Sequence, residues 1–94
     1  MPVTFDTAAT YNSSRKAVEV TARSGGASII CRIPSEVLCD DYECQSNTRA
    51  DLLRTFEAHR KDIERRAERL ILGAQFEEDG SIKIRSPLPP QSNR

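Results

Sequence analysis

The chain has 94 residues, and its 14 lysine and arginine residues balance 14 aspartate and glutamate residues, so the net charge is zero. This length permits one domain with a small core, and the balanced charge excludes a global field that would draw the chain onto nucleic acid or an anionic membrane. The aromatic residues are few and include no tryptophan, which leaves little material for stacking against single-stranded nucleic acid.

The chain shows no secretion or membrane signal. Its first residues carry neither a basic region nor an apolar run, and no stretch of about eighteen apolar residues occurs. We therefore expect a cytoplasmic protein. The three cysteines Cys31, Cys39 and Cys44 are odd in number and form no CxxC motif, which predicts reduced thiols and no disulfide framework.

The N-terminal third predicts an antiparallel hairpin. Val3 and Phe5 alternate with polar residues and indicate a short first strand over residues 3–5, whereas residues 7–14 are predicted to form a loop. Residues 17–23 and 27–33 are predicted strands, joined by a tight turn at Gly25 and Gly26. In that register three apolar pairs share one side of the hairpin. The pairs are Val18 with Ile33, Val20 with Cys31, and Ala22 with Ile29.

After the hairpin, Pro34 suits the first turn of a helix, so one or two helical turns are predicted there, with Val37 and Leu38 buried. Residues 39–47 are acidic and polar and are predicted to form a loop. No calcium-binding spacing occurs among their carboxylates.

One long amphipathic helix is predicted over residues 48–72. Thr48 is the expected N-cap, and Gly73 is expected to end the helix in a left-handed conformation. Charged residues cover the outer face, with Glu57 to Lys61 and Asp62 to Arg66 set for i,i+4 ion pairs. The apolar stripe consists of Leu52, Phe56, Ile63, Ala67, Leu70 and Ile71.

The C-terminal part predicts one more strand. Phe76 is expected to fold back onto the sheet, and Asp79-Gly80 to form a turn before a last strand over residues 81–85. Residues 86–94 contain three prolines without periodicity and are predicted to be a disordered tail. The predicted domain therefore spans residues 1–85.

The residue types that carry chemistry form no recognisable motif. The spacing of the cysteines and His59 matches no usual zinc site, and nothing marks a nucleophile or carboxylate beside His59. The basic helix residues are interleaved with acidic ones, which cancels most of their field. We expect no enzyme, no metal and no cofactor.

The chain resembles a known family at the following positions: Phe5, Tyr11-Asn12, Arg15, Ala17-Val18, residues 30–33 and 36–38, Phe56, Arg60, Ile63-Glu64, Ala67, Asp79-Gly80 and residues 82–84. With these residues it is similar to the short bacterial proteins of domain-of-unknown-function family 1488 over about residues 3–85. The resemblance implies an α+β domain, a proteobacterial source and a cytoplasmic setting, and it brings no activity, cofactor or functional residue with it.

The predicted fold class is α+β, an antiparallel sheet of three to four strands with one long helix across one face and a short helix after the hairpin. The predicted function is a non-enzymatic protein-interaction module, and the alternative is a nucleic-acid-associated accessory protein. We expect an unknown protein partner, and a homodimer in which a second copy covers either the overhanging apolar helix end at residues 70–72 or an unpaired strand edge. The candidate interaction residues are Arg54, Lys61, Arg65, Leu70 and Leu72.

Overall fold

The computed structural model describes residues 2–44 and 46–85. A four-stranded sheet in the order β1-β2-β3-β4 carries all helices on one face, which confirms the predicted α+β class. The predicted tail over residues 86–94 lies outside the described residues. The elements are β1 (Val3–Asn12), β2 (Ala17–Ser24), β3 (Ala27–Pro34), α1 (Ser35–Tyr42), α2 (Arg49–Ala58), α3 (Arg60–Leu72) and β4 (Ile82–Lys83).

The central hairpin has the predicted register. Val18 pairs with Ile33, Val20 with Cys31 and Ala22 with Ile29. These side chains are buried against the helices, while the other face of the hairpin carries charged residues. Gly25 and Gly26 both have positive φ angles, 57° and 85°, which is what a two-residue hairpin turn requires.

Strand β1 is much longer than predicted, and the predicted loop over residues 7–14 is wrong for its first six residues. Pairing with β2 shifts between Phe5 and Ala9, so residues 6–8 form a bulge on this edge strand. Arg60 of α3 donates hydrogen bonds to the carbonyl oxygens of Asp6 and Thr7 in the bulge, at 3.2 and 2.6 Å. The helix layer therefore anchors the irregular edge of the sheet.

Helix α1 follows Pro34 as predicted and buries Val37 and Leu38. It extends to Tyr42, so the predicted loop over residues 39–47 begins only at Glu43, which adopts the left-handed conformation with φ 55°. This conformation ends the helix and reverses the chain.

The predicted long helix is divided at His59, whose backbone (φ −119°, ψ 22°) leaves the helical region. Its amide still donates to Thr55 O, and its carbonyl accepts from the amide of Ile63, so the two helices remain hydrogen bonded. The Tyr42 ring stacks on His59 with 4.7 Å between centroids. No glycine or proline marks this break, so sequence periodicity missed it. Helix α2 packs on β1 and β2, and α3 packs on β4.

Both predicted helix ends are at the right place. The Thr48 hydroxyl accepts the amide of Asp51 at 3.3 Å, and α3 ends at Leu72. The expected left-handed conformation is not at Gly73 (φ −87°) but at Ala74 (φ 56°). The amides of Ala74 and Gln75 donate to Ile71 O and Leu70 O, the Schellman pattern of a helix C-terminus.

Strand β4 is shorter than predicted and pairs parallel with β3. The prediction of a fully antiparallel sheet is therefore wrong at this strand, and the sheet is mixed. The three intervening helices form a crossover, which returns the chain to the same end of the sheet from which β3 starts. The turn at Asp79-Gly80 is confirmed, with Gly80 at φ 86°. Ile82 and Ile84 are buried.

The core is composed almost wholly of the predicted residues from β2, β3, α1, α2, α3 and β4. Phe76 is the clearest exception, because it remains 44% exposed and does not fold onto the sheet. Leu70, Val3 and Phe5 pack against the core but are only partly buried. Within the described residues, no helix is long and apolar enough to cross a membrane.

Candidate interaction surface

The structure separates the five predicted interaction residues. At about 100° per residue, Lys61, Arg65 and Leu72 lie within about 40° of one another on α3, and Leu70 lies at least about 140° away. Leu72 is 63% exposed on the outer side, whereas Leu70 is half-buried on the side facing β4. Arg54 is exposed on α2. A single surface therefore does not contain all five.

The charges on the outer helix face are largely paired with each other. Arg54 contacts Asp51, and Arg65 lies 3.6 Å from Asp62. The predicted i,i+4 pairs are wrong: Glu57 pairs with Arg60 at 2.8 Å, and Arg66 turns to the end of α1. Arg60 and Arg66 also donate hydrogen bonds to backbone carbonyl oxygens, Arg60 to those of Asp6 and Thr7 and Arg66 to that of Arg85.

Leu70 belongs instead to a groove of about 790 Å³ between α1, α3 and the last strand. We call it the α3–β4 groove. It combines aromatic and aliphatic side chains with four basic and three acidic residues. It is lined by Asp41, Tyr42, Asp62, Arg66, Arg69, Leu70, Ala74, Gln75, Phe76, Glu77, Lys83, Ile84 and Arg85.

The inner wall of the groove is a hydrogen-bonded network around Tyr42. The Tyr42 hydroxyl donates to Asp62 Oδ2 at 2.5 Å and accepts from Arg66 Nη1 at 2.7 Å. Arg66 also lies 3.1 Å from Asp41 and donates to the carbonyl oxygen of Arg85. Asp41 Oδ2 is buried, and its contact to Arg66 is an ion pair without hydrogen-bond alignment. One arginine thus joins α1, α3 and the chain after β4.

Burial and the hydrogen bond to Asp62 raise the pKa of Tyr42 above its usual value. His59 stacks on the Tyr42 ring but is exposed to solvent. These contacts give Tyr42 a fixed position.

The rim of the groove differs from the paired inner wall. Among the described residues, Arg69 and Lys83 make no ion pair, whereas Arg85 is paired with Glu77 at 3.2 Å. Phe76 lines the same groove as Leu70, Arg69 and Lys83, and it is 44% exposed. An exposed aromatic ring and two cations without counter-charges are therefore available to a ligand. Phe76 therefore differs from the sequence prediction, which places it on the sheet.

A second groove of equal volume lies on the other side of Lys83, between the β1–β2 turn and the start of α1. Its central Arg32 is bound to Glu19 at 2.7 Å, to Asp79 at 3.3 Å and to the Ser81 hydroxyl at 2.6 Å. It contains no exposed large apolar side chain within the described residues. This groove thus offers charged groups to a partner but no apolar anchor like Phe76.

The face of the sheet opposite the helices carries rows of polar contacts. Arg23 bridges Asp6 and Ser28, and Glu19 joins Asn12 to Arg32. Ile30 is the large apolar side chain exposed there, at 43%. Nucleic-acid-binding sheets present aromatic rings on such a face, and the described residues of this face include none.

The cysteines correct one sequence expectation. Cys39 and Cys44 are joined as a disulfide, with 4.5 Å between their Cα atoms, so the prediction of three reduced thiols is wrong for this pair. Cys31 is free and buried in β3, where burial raises its pKa to about 12. In the described part of the chain no group of three or more histidine, cysteine or acidic residues is arranged to hold a metal ion.

Comparison with known proteins gives the family and no activity. The chain is similar to a protein of unknown function from Shewanella loihica PV-4, whose crystal structure has a TM-score of 0.82 and 32% sequence identity, covering 87% of this chain and 90% of the other. No curated protein matches. The family model for proteins of unknown function named DUF1488 matches residues 3–84. This chain therefore belongs to the DUF1488 family.

Proposed function

We propose that this protein is a non-enzymatic, cytoplasmic protein-interaction module that binds an acidic segment of a partner protein in the α3–β4 groove. The observation that carries the proposal is that the exposed Phe76 lines one groove with Arg69 and Lys83, two cations without an ion pair among the described residues. Aromatic and arginine side chains contribute strongly at protein interfaces. The proposed occupant is an apolar side chain flanked by carboxylates.

The division of the groove into wall and rim supports this occupant. Phe76 and Leu70 offer apolar area, and burial of each large side chain is worth up to about 1.5–3 kcal/mol. Arg69 and Lys83 would add orientation and salt-dependent association more than affinity. Arg66 is already bound to Tyr42 and Asp41, so it fixes the shape of the groove. A segment of a few residues fits a volume of about 790 Å³.

The test is a screen of a random peptide library against the purified protein, followed by NMR chemical-shift mapping of the selected peptides. We expect enrichment of acidic residues next to an aromatic or aliphatic residue. The shifts should be concentrated at Leu70, Phe76 and Lys83 and be absent from Ile30 on the open sheet face. Selected peptides without acidic residues, or shifts concentrated at Ile30, would contradict the proposal.

Charge reversal gives the matched control. Arg69→Glu combined with Lys83→Glu should lower the affinity for the selected peptides at least tenfold. Arg54→Glu combined with Lys61→Glu changes the same net charge on exposed helix positions and should have less than a twofold effect. Circular dichroism checks that both variants fold. Equal losses in the two variants would show that only global charge matters.

Nucleic-acid binding is the competing function, and the same variants separate it. A nucleic acid would contact many cations, so both double variants should lower the affinity for it. That affinity should also fall steeply as the salt concentration rises. The paired charges of α2 and α3 disfavour this function. Fluorescence anisotropy with labelled single- and double-stranded oligonucleotides at low salt measures it directly.

The predicted homodimer also remains a proposal. The helix is divided at His59, and Leu72 at the end of α3 is largely exposed. If a second copy covers this residue, Leu72→Glu should convert the dimer to a monomer in light scattering. A monomer mass for the unmodified protein at high micromolar concentration would end this proposal.

A further inference from the structure

The end of α1 places two cysteines next to each other. Cys39 is in the last turns of the helix, and Cys44 follows Glu43, whose left-handed backbone turns the chain back. The Cα atoms of the two cysteines are 4.5 Å apart, within the range of about 4.4–6.8 Å that a disulfide needs. The local fold therefore places the two thiols in position to react with each other.

The segment enclosed by this pair carries the contacts of α1 to α3. Asp41 lies 3.1 Å from Arg66, and the Tyr42 hydroxyl donates to Asp62. Both residues lie between Cys39 and Cys44 in the chain, so a covalent link between the cysteines restricts the backbone from which they extend. The bond thus acts on the residues that form the inner wall of the α3–β4 groove.

The surroundings also suit the reduced form of the pair. Cys39 Sγ lies 3.5 Å from Asn47 Oδ1, and Cys44 Sγ lies 3.3 Å from the carbonyl oxygen of Ser46. Each cysteine is half-buried, and each sulfur has an oxygen that accepts its hydrogen once the disulfide is opened. Cys31 differs, because it is fully buried among core side chains.

We propose that Cys39 and Cys44 form a reversible redox site, oxidised by a low-molecular-weight disulfide. The thiolate of one cysteine attacks the oxidant and releases one thiol, and the second cysteine then displaces the other thiol from the mixed disulfide. The two cysteines lose two hydrogens and gain one S–S bond, while the oxidant is reduced to two thiols. The oxidised form holds Tyr42 and Asp41 against α3, and the reduced form releases the end of α1. The inference does not depend on the groove being a binding site.

The chemical test is equilibration of the full chain with mixtures of reduced and oxidised glutathione, then alkylation of free thiols and intact-mass measurement. We expect Cys39 and Cys44 to change together from alkylated to a monomeric form lacking two hydrogens. Cys31 should be alkylated only in denaturant. Cys39 and Cys44 that stay alkylated in the most oxidising mixture, or disulfides that join two chains, would overturn the proposal.

A single-cysteine variant tests the intramolecular step. In Cys39→Ser no partner remains, so Cys44 should accumulate the glutathione adduct that the native protein resolves. The same adduct in the native protein, in place of the internal disulfide, would also overturn the proposal.

Hydrogen exchange tests the structural consequence. Amides at the end of α1 should exchange at least tenfold more slowly in the oxidised protein than in the reduced one. The double variant Cys39→Ser with Cys44→Ser should show no dependence on the glutathione mixture. Identical exchange in the oxidised and reduced protein would refute the coupling to α1, while the mass measurement would still decide whether the disulfide forms.

Discussion

Replacing Arg60 with methionine removes the side chain that fastens α3 to the bulge of β1. The guanidinium donates to the carbonyl oxygens of Asp6 and Thr7 and pairs with Glu57 and Glu64 at 2.8 and 3.0 Å. Its side chain is only 19% exposed. Methionine keeps an unbranched, helix-favouring stem of similar reach, so the substitution removes the donors and the charge with little change in packing.

The expected loss follows from these contacts. Hydrogen bonds from a charged donor contribute about 1.5–3 kcal/mol each, and partly exposed ion pairs about 0–1 kcal/mol. The bulge is at the sheet edge, where water replaces part of the lost hydrogen bonding. We expect Arg60→Met to lower the free energy of unfolding by about 2–4 kcal/mol, a large share of the roughly 5–15 kcal/mol that holds a domain of this kind folded.

Urea unfolding followed by circular dichroism measures this loss. The control is Arg54→Met on α2, where the arginine side chain is 72% exposed and pairs with Asp51, and its effect should stay within about 0.5 kcal/mol. Arg60→Lys keeps the charge without the planar fork and should recover less than half of the loss. Equal stabilities of Arg60→Met and Arg54→Met would refute the anchoring role, and full recovery by lysine would assign it to charge alone.

Three further predictions concern single residues. Ala74→Gly should raise the free energy of unfolding by about 0.5–1 kcal/mol in urea, because Ala74 adopts the left-handed conformation that glycine tolerates better. Phe56→Ala should lower the free energy of unfolding by about 3–5 kcal/mol, since the ring is fully buried. Ile30→Ala on the open sheet face should lower it by less than about 1 kcal/mol. Hydrogen bonds from Ser81 hold the pKa of Asp79 at about 2, below its usual value. The carboxylate therefore contributes fully to the stability of the fold above about pH 4, and this contribution is lost as the pH falls through about 2. The stability difference between the native protein and Asp79→Asn should therefore shrink over this range in acid unfolding experiments.

The hairpin was predictable because several constraints agree on one register. Gly25 and Gly26 fix the turn, and alternation from Val18 to Ile33 fixes which face is buried. A shift by one residue would expose the whole apolar set. The apolar stripe of α2 and α3 was equally clear, so most of the core was identified from periodicity alone.

The errors fall where distant parts of the chain decide the structure. Strand β1 is an edge strand with few apolar residues, and its pairing with β2 outweighs the loop-like composition. Its threonines and Tyr11 were the signal that favoured a strand. The break at His59 accompanies a contact with Tyr42 from another helix, and the parallel pairing of β4 depends on the path of the crossover. Neither the break at His59 nor the parallel pairing of β4 has a local sequence signature.

The candidate site was predicted only in part, for a related reason. Exposure of Arg54 and Leu72 follows from periodicity, but the α3–β4 groove needs Lys83 from β4 and Phe76 from the connecting segment. Reversal of the chain at Ala74 places the latter beside Leu70 and not over the sheet. Local patterns identify which face of a helix is apolar, but they do not identify what lies opposite its edge.

The positions that carry the family resemblance have structural tasks in this protein. Arg60 anchors the β1 bulge, and Asn12 and Arg32 both donate to the Glu19 carboxylate on the open face. Asp79 and Gly80 form the turn before β4, where Asp79 bonds Ser81. Because these polar groups are already bound to each other, the motif defines the fold and leaves them few free donors or acceptors for a ligand.

A binding surface must instead have groups that the fold does not use. In the described chain this condition is met best at the rim of the α3–β4 groove, where Arg69 and Lys83 make no ion pair and Phe76 stays exposed. Exposing such a ring costs folding free energy that a buried position would recover. None of these three side chains stabilises the described fold by an ion pair or by full burial. The decisive comparison is therefore stability against binding. Charge reversal at Arg69 and Lys83 should leave the free energy of unfolding in urea nearly unchanged while it lowers the affinity for the selected peptides. A matching loss of stability would assign both cations to the fold.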